Sequence, residues 1–451
     1  LAKTRKKKSG SANRGGSADR KKLTARRVRK TALRKAAEEV AERLTKAGYE
    51  AVFAGGCVRD MLMGAEPADY DIATSAAPHI VQDIFPKNFA VGAQFGVVVV
   101  RHKSHEFEVA TYRLDSTYSD GRHPDSVTFG SAREDVMRRD FTINGMLFDP
   151  AKNEVIDYVE GREDLKKKVV RCIGDPYMRF AEDKLRMLRA VRFAVKLGFE
   201  IEDETREAVR SLAPQIDAVS QERIKSELEK ILTCPAAAHG VRELDALGLL
   251  AHILPELHAT VQVRISTETL FDHCAGVLSS LSGPSFDLAL AALLHCCGGA
   301  DERENLQESA RLASVAARRL KCSNAQRSCL VWLVQNQFAL EDSREQPLSR
   351  MKRLFANEHF EKLMALFGAK VKEGCAGKAD FNHAKKMYSG MKKEEIKPEP
   401  ILTGTDLIEM GLKPSKLFST VLEKIYDAQL DGELTERSKA IEMALHIARE
   451  S

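Results

Sequence analysis

Gly55-Gly56-Cys57-Val58-Arg59-Asp60, followed after a short spacer by Asp69-Tyr70-Asp71, decides how the rest of this chain is read. The first block reads as a glycine turn into a helix beginning near Val58, the second as part of a strand. Residues two apart in an extended strand point to one face, so Asp69 and Asp71 are expected to project side by side. Neighbouring carboxylates repel, and a divalent cation relieves the repulsion. Mg²⁺ in particular is held by one or two carboxylates together with substrate phosphates and water. Gly55 and Gly56 have no Cβ, which lets backbone N–H groups approach an anion at the start of the helix. Arg59 adds a forked donor for phosphate oxygens. Taken singly, Gly-Gly reads equally as a loop and Asp-x-Asp as a solvated turn, so the decision rests on what accompanies them.

Upstream, Leu33, Ala36, Val40, Leu44 and Ala47 recur at helical spacing, which predicts an amphipathic helix over Thr31–Gly48. Tyr49–Phe53 reads as a strand leading to the glycines, Arg59–Leu62 as the start of a helix, and Tyr70–Ala73 as the strand carrying the aspartates. Gly96–Val100 and Phe107–Tyr112 are β-branched and aromatic runs that read as further strands. Glu106 and Glu108 share one face of the latter; Glu108 is the preferred third carboxylate, an exposed face being the alternative. Arg113–Val127, with Asp120-Gly121-Arg122-His123-Pro124, has turn residues and weak periodicity. Val155–Tyr158 and Val169–Cys172 read as two short strands across a charged turn, closing a first unit near Gly174.

Asp175-Pro176 is a helix entry, and the pattern predicts one helix to about Leu197, stopped by Gly198. Asp183, Arg186, Arg189 and Arg192 recur every three residues along it. Asp183 with Arg186 offers a mixed acceptor and donor edge suited to a nucleobase, whereas Arg189 and Arg192 suit a triphosphate or the positioning of the helix. A salt-bridged, solvated helix is the alternative. Glu222–Leu232 and nearly everything after it read as helical, up to a charged, proline-containing linker at Lys392–Pro400 and a last helical segment.

The 451 residues are 43% hydrophobic and 30% charged, ordinary for a globular protein with more than one core. No apolar run reaches membrane-spanning length, and the basic N-terminus lacks the apolar core of a secretory signal; a soluble, cytoplasmic protein with no membrane partner is expected. Nine scattered cysteines, with Cys296-Cys297 adjacent and no Cys-x-x-Cys, argue against a disulfide framework or zinc ribbon. The formal charge of +5 is uneven. Lysines and arginines crowd residues 1–30 against the single acid Asp19, so this arm reads as disordered, either touching phosphate non-specifically or serving only as a solubilising tail.

The head block Gly55–Asp60, with Gly64, Asp69-Tyr70-Asp71 and Thr74, resembles the class II tRNA nucleotidyltransferase and bacterial poly(A) polymerase family. The likeness continues through Arg138-Arg139-Asp140-Phe141-Thr142-Ile143-Asn144, through Arg179–Phe193, and through Glu222-Arg223-Ile224, in the family's order over about the first half of the chain. It implies an α/β nucleotidyltransferase head (palm-like) with a mixed β-sheet over 31–174, an all-α neck that selects the nucleotide over 175–235, a helical body over 236–391, and a linker and tail over 392–451. It further implies a template-independent enzyme that adds CCA, or its terminal A, to the tRNA 3′ end from CTP and ATP. Two Mg²⁺ would be held by Asp69 and Asp71, with Glu108 in support. Gly55, Gly56 and Arg59 would cradle the triphosphate, and Arg139, Asp183, Arg186, Arg189 and Arg192 would place the nucleotide. Asp140 and Asn144 would shape the ribose end, and residues 113–127 would form the flexible loop that enzymes adding only two cytidines have shortened. Gly145 stands where the family more usually has Ala. Phe271-Asp272-His273 and Leu294-His295-Cys296 look like the skeleton of an HD phosphohydrolase domain. Cys296 replaces its metal-binding Asp, so this region is expected to be structural, with His273 and His295 in core or surface roles. The competing readings are a poly(A) polymerase, an A-adding enzyme with a CC-adding partner, and a non-catalytic RNA-binding scaffold; the oligomeric state is left open.

Overall fold

The computed structural model describes residues 31–89, 96–115, 127–265, 267–412 and 416–450. The basic arm and Asp120–Pro124 of the expected loop lie outside the described residues. The first unit opens with α1 (Ala32–Lys46), whose buried residues Ala36, Ala37, Val40, Ala41 and Leu44 form one stripe and whose first turn is capped by the Thr31 hydroxyl. There follow β1 (Ala51–Ala54), α2 (Gly56–Leu62), β2 (Asp71–Thr74), α3 (Pro78–Ile84), β3 (Asn88–Phe89), β4 (Val97–His102) and β5 (His105–Thr111). After β6 (Arg113–Asp115) come β7 (Val127–Phe129), α4 (Ala132–Met137), β8 (Leu147–Asp149) and β9 (Glu154–Ile156). The main sheet has the order β3-β4-β5-β2-β1-β8-β9 and is mixed, since β2 runs parallel to β5 while its other pairs are antiparallel.

Alternation along β1 explains why this sheet is covered twice. Ala51 and Phe53 join the core beneath α1, whereas Val52 and Ala54 join Ala73, Tyr112, Val136 and Leu147 on the opposite face. The two short strands expected over 155–172 do form, as β9 and β10 (Val169–Val170), but not across a turn. The charged segment between them is instead a helix, α5 (Gly161–Lys167), with Glu163 and Asp164 in the first turn and Lys166 and Lys167 in the last, the arrangement the helix dipole favours. The second strand, β10, pairs in parallel with β11 (Glu200–Ile201) rather than with β9.

The single long helix expected from Pro176 is two helices, α6 (Pro176–Glu182) and α7 (Leu185–Leu197). Asp183 at the break has an extended backbone (φ −143°, ψ 104°). Asp175 caps α6 with Pro176 in its first turn, and Gly198 ends α7 in the left-handed region (φ 66°), as the sequence indicates. After α8 (Asp203–Leu212) comes α9 (Gln221–Leu232). The body then runs through α10 (Ala237–Ala246), α11 (Leu250–Ile253), α12 (Pro255–His258), α13 (Leu270–Ser279), α14 (Phe286–Leu294), α15 (Leu306–Arg319), α16 (Asn324–Gln335), α17 (Leu348–Phe355) and α18 (Phe360–Lys372). One continuous apolar core extends from Phe141 through α7 and α9 to Ile396, while residues 402–447 make a core of their own. Among the described residues, no helix is long and apolar enough to cross a membrane.

Candidate active site

β1 ends at Ala54, and the chain turns through Gly55 at φ 77°, a conformation that favours glycine, straight into α2. The helix therefore begins at Gly56, earlier than the expected Val58 or Arg59. A Cβ on Gly55 would lie 3.2 Å from Arg139 Nη1 and 3.8 Å from Asp71 Oδ2. Glycine here thus lets a guanidinium and a carboxylate close over the turn.

Asp71 is the first residue of β2, and Asp69 lies two residues before it, so the two do not share one strand as expected. Tyr70 between them is buried against Phe53, with ring centroids 5.0 Å apart. The register Ile72↔Val109 puts Asp71 level with Glu108, on the face opposite buried Ile72, Phe107 and Val109. Glu106 instead makes an exposed cross-strand ion pair with Arg101 at 2.7 Å. Burial, with Asp69 and then Glu108 adding repulsion, pushes the Asp71 carboxyl up to about 6, against an opposing pull from Arg139. The three acids are therefore one electrostatic group. Cys57 beside them donates to Ala54 O at 3.2 Å; burial and then Asp71 push its thiol up to about 12, so it stays protonated. What remains available is a set of carboxylate oxygens, which fits a hard divalent cation.

Arg139 is held by a residue that the sequence reading missed. The buried Asp135 carboxylate accepts from Arg138 at 2.6 Å and from Arg139 at 2.9 Å. Burial alone would raise it, but the two guanidinia outweigh burial and hold it below the usual range. The signal was present in the spacing, since Asp135 stands three and four residues before the arginines.

Arg59 does not face outward. It is 5% exposed, with Nε donating to Asp60 at 2.9 Å and Nη1 to Asn144 Oδ1 at 2.6 Å. Asn144 Nδ2 donates to Asp140 at 3.3 Å, and Asp140 accepts from Arg189 Nε at 2.8 Å and Nη2 at 2.5 Å. Burial opposes ionisation of Asp140, but Arg189 prevails and holds its carboxyl low. Arg192 donates to Glu227 at 2.5 Å, with its guanidinium 3.9 Å from the Phe193 ring centre. Arg186 donates to Glu182 at 2.5 Å and to the carbonyls of Arg179 and Arg138. Asp183 accepts from Leu185 N at 3.1 Å and from Arg223 at 2.8 Å, giving the Glu222-Arg223 motif a concrete task. The structure thus gathers Gly55, Asp71, Glu108 and Arg139 with Asp69 nearby. It sets Arg59, Arg186, Arg189 and Arg192 donating to protein acceptors. Gly145 is explained by packing, because a Cβ there would meet Ile173 and Val159 side chains at 2.8 Å.

Known proteins resemble this chain in sequence and in fold. Residues 51–171 match the family described as "Poly A polymerase head domain", and residues 198–260 match "Probable RNA and SrmB- binding site of polymerase A". The CCA-adding enzyme of Geobacillus stearothermophilus is 44% identical over 215 residues, 48% of this chain and 53% of that protein. The CCA-adding enzyme of Bacillus pumilus is 47% identical over 186 residues, 41% of this chain and 46% of that protein. The chain thus spans about half the length of the curated relatives it matches. Among solved structures, the Bacillus stearothermophilus CCA-adding enzyme in complex with CTP superimposes with a TM-score of 0.74 at 27% identity, over 93% of this chain and 100% of that one. The Thermotoga maritima CCA-adding enzyme complexed with tRNA shares the fold, with a TM-score of 0.59 at 21% identity over 91% of this chain and 94% of that one. Over residues 51–171 and 198–260 the chain is thus similar to the head and RNA-binding regions of the poly(A) polymerase family, and in fold to the CCA-adding enzymes.

Proposed function

We propose that the protein transfers nucleotides from CTP and ATP to the 3′ end of tRNA, building CCA or its terminal A without a template. The observation that carries this reading is the crowding of Asp71 by Asp69 and Glu108 opposite Gly55 and Arg139. Asp69 and Asp71 would hold Mg²⁺, with Glu108 alongside. Bound there, Mg²⁺ supplies charge neutralisation for the triphosphate and acidifies the attacking hydroxyl. The chain's own residues then do the positioning. Arg139, fixed by Asp135, offers its remaining donors toward the phosphates beside Gly55 and Gly56, and in-line transfer depends mainly on orientation and electrostatics. Arg59 and Arg189 act from behind by joining the head to α7 through Asn144 and Asp140.

The test is incubation of purified protein with tRNA lacking its terminus, with CTP, ATP and Mg²⁺, resolved to one nucleotide. Addition that stops after three nucleotides is the expected result. A long adenylate tail would make it a poly(A) polymerase, extension only of tRNA already ending in CC an A-adding enzyme, and no metal-dependent pyrophosphate release a scaffold.

Asp183 sits at the break between α6 and α7, where its carboxylate is oriented by Arg223. Asp183→Ala is expected to erode base choice, narrowing the preference for CTP and ATP over UTP and GTP by about tenfold or more, a loss of about 1.4 kcal/mol of discrimination. Unchanged ratios of kcat/KM for the four nucleotides would remove Asp183 from that role.

A further inference from the structure

We infer that the helical body carries a second, separate metal site: a closed tetrahedral centre for one borderline-soft divalent cation of the Zn²⁺ class, ligated by His273, His295, Cys296 and Glu302. Their donor atoms all lie within 4.8 Å of one another. His273 Nε2 is 3.2 Å from His295 Nε2 and 3.2 Å from Glu302 Oε1. Four ligands at ordinary zinc bond lengths stand roughly 3.3–3.8 Å apart along the edges of a tetrahedron, so only small side-chain movements separate this cluster from a coordination shell. Three of the four ligands are interior, with His273 6% exposed and both His295 and Cys296 fully buried, while the Glu302 side chain is 20% exposed.

The surroundings are arranged as a metal requires. His295 Nδ1 lies 2.9 Å from Ala292 O; since a carbonyl can only accept, Nδ1 carries the proton and Nε2 presents a lone pair to the cluster. Lys370, 1% exposed, donates to Glu302 Oε2 at 2.8 Å, which leaves Oε1 turned toward the imidazoles. Gln337 accepts from that same lysine at 2.8 Å and donates to His295 O at 2.7 Å, bracing both sides. His273 comes from α13, His295 and Cys296 from the residues directly after α14, and Glu302 from the segment leading to α15. A bound ion would clamp these three elements together.

The ligand set also chooses the ion. Reading Cys296 as the loss of a carboxylate led to the expectation of a merely structural region, but Glu302 brings a carboxylate back from six residues further on. The set becomes two imidazoles, one thiolate and one carboxylate. Such a set disfavours Mg²⁺ and Ca²⁺, which take oxygen ligands, and favours tetrahedral Zn²⁺. Four protein ligands leave no open position, so the site is structural rather than hydrolytic.

Co²⁺ reports on this directly. Full-length protein stripped with chelator and titrated with Co²⁺ should bind one equivalent with intense tetrahedral d–d absorption and a thiolate-to-cobalt charge-transfer band. Zn²⁺ should abolish both bands by displacement. The oxygen-only head site cannot produce the thiolate band, so this result is independent of the head's activity. Cys296→Ser should remove the charge-transfer band, and Glu302→Gln should weaken binding at least tenfold. Cys274→Ser should leave the band in place, although Cys274 Sγ is 3.1 Å from Cys296 Sγ. Failure of the wild-type protein to give the thiolate band overturns the proposal whatever the variants do. So does a band that survives Cys296→Ser or disappears with Cys274→Ser.

Discussion

Asp71→Asn is expected to lose nucleotide incorporation by at least about a thousandfold, about 4 kcal/mol of barrier, while unfolding at a higher urea concentration than the wild type. The first half follows if Asp71 holds the catalytic cation, since such ions contribute several kcal/mol of charge stabilisation. Binding of tRNA should change less than about twofold, because a single carboxylate at the reacting centre adds little to a backbone-dominated interface. Near-normal incorporation would defeat the assignment. The second half follows from burial, to which crowding by Asp69 and Glu108 adds. In the folded protein the Asp71 carboxyl stands at about 6, above its ordinary 3.8. Between these values the unfolded chain has already released a proton that the folded chain retains, so stability falls as pH rises from about 4 through about 6. Above that window the wild type carries a buried charge beside Asp69 and Glu108. Asn carries none. In chelator-treated protein the variant should therefore gain on the order of 2–3 kcal/mol at pH 8 and almost nothing at pH 4. Mg²⁺ should narrow the gap by stabilising only the wild type. A gap that is the same at both pH values would mean that the Asp71 carboxyl is not raised in the folded protein.

That pairing of function with instability was partly legible in the sequence, and the illegible part has definite causes. The strand pattern around Ile72 and Val109 was enough to put Asp71 and Glu108 on one kind of face, because alternation has a period of two whatever the rest of the chain does. It could not say that β2 and β5 run parallel in that register, since pairing is a long-range choice. The interruption at Asp183 was invisible for a different reason. No proline or glycine marks it; what fixes it is Arg223, forty residues away, together with the Asp183 carboxylate folding back onto Leu185 N. Glu302 is a third kind of case. Asp301-Glu302-Arg303-Glu304 reads as a solvated charged loop, and it is His273 from α13 and Lys370 from α18 that draw one of its acids inward. The spacing of Asp183, Arg186, Arg189 and Arg192 was real. Their partners Arg223, Glu182, Asp140 and Glu227 determine what each does, and only Glu182 is near in sequence.

Arg189→Leu should destabilise the protein by about 3 kcal/mol or more at pH 7, the loss expected when one member of a buried ion pair is removed and the other is left without compensation. Asp140 lies in the interior, and among the described residues only the Asn144 amide and the Phe141 N–H donate to it besides Arg189. The reverse change, Asp140→Asn, should cost less. The Arg189 side chain is 35% exposed and retains access to water, and an amide oxygen can still accept from it. The pH dependence separates charge from shape. In the wild type the depressed Asp140 carboxyl contributes stability that is present above the ordinary carboxylate value and lost only as pH falls through its lower folded value. In Arg189→Leu, burial loses the largest influence opposing it and that carboxyl rises, so acidification toward pH 5 relieves the variant before it harms the wild type. The difference in urea midpoint should therefore shrink between pH 7 and pH 5. Replacing both residues by leucine should recover a large part of the loss, because no charge is then stranded. A double variant as unstable as the sum of the singles would show that the two side chains stabilise the protein separately. The path from Arg59 through Asn144 and Asp140 to α7 would then be adjacency without coupling.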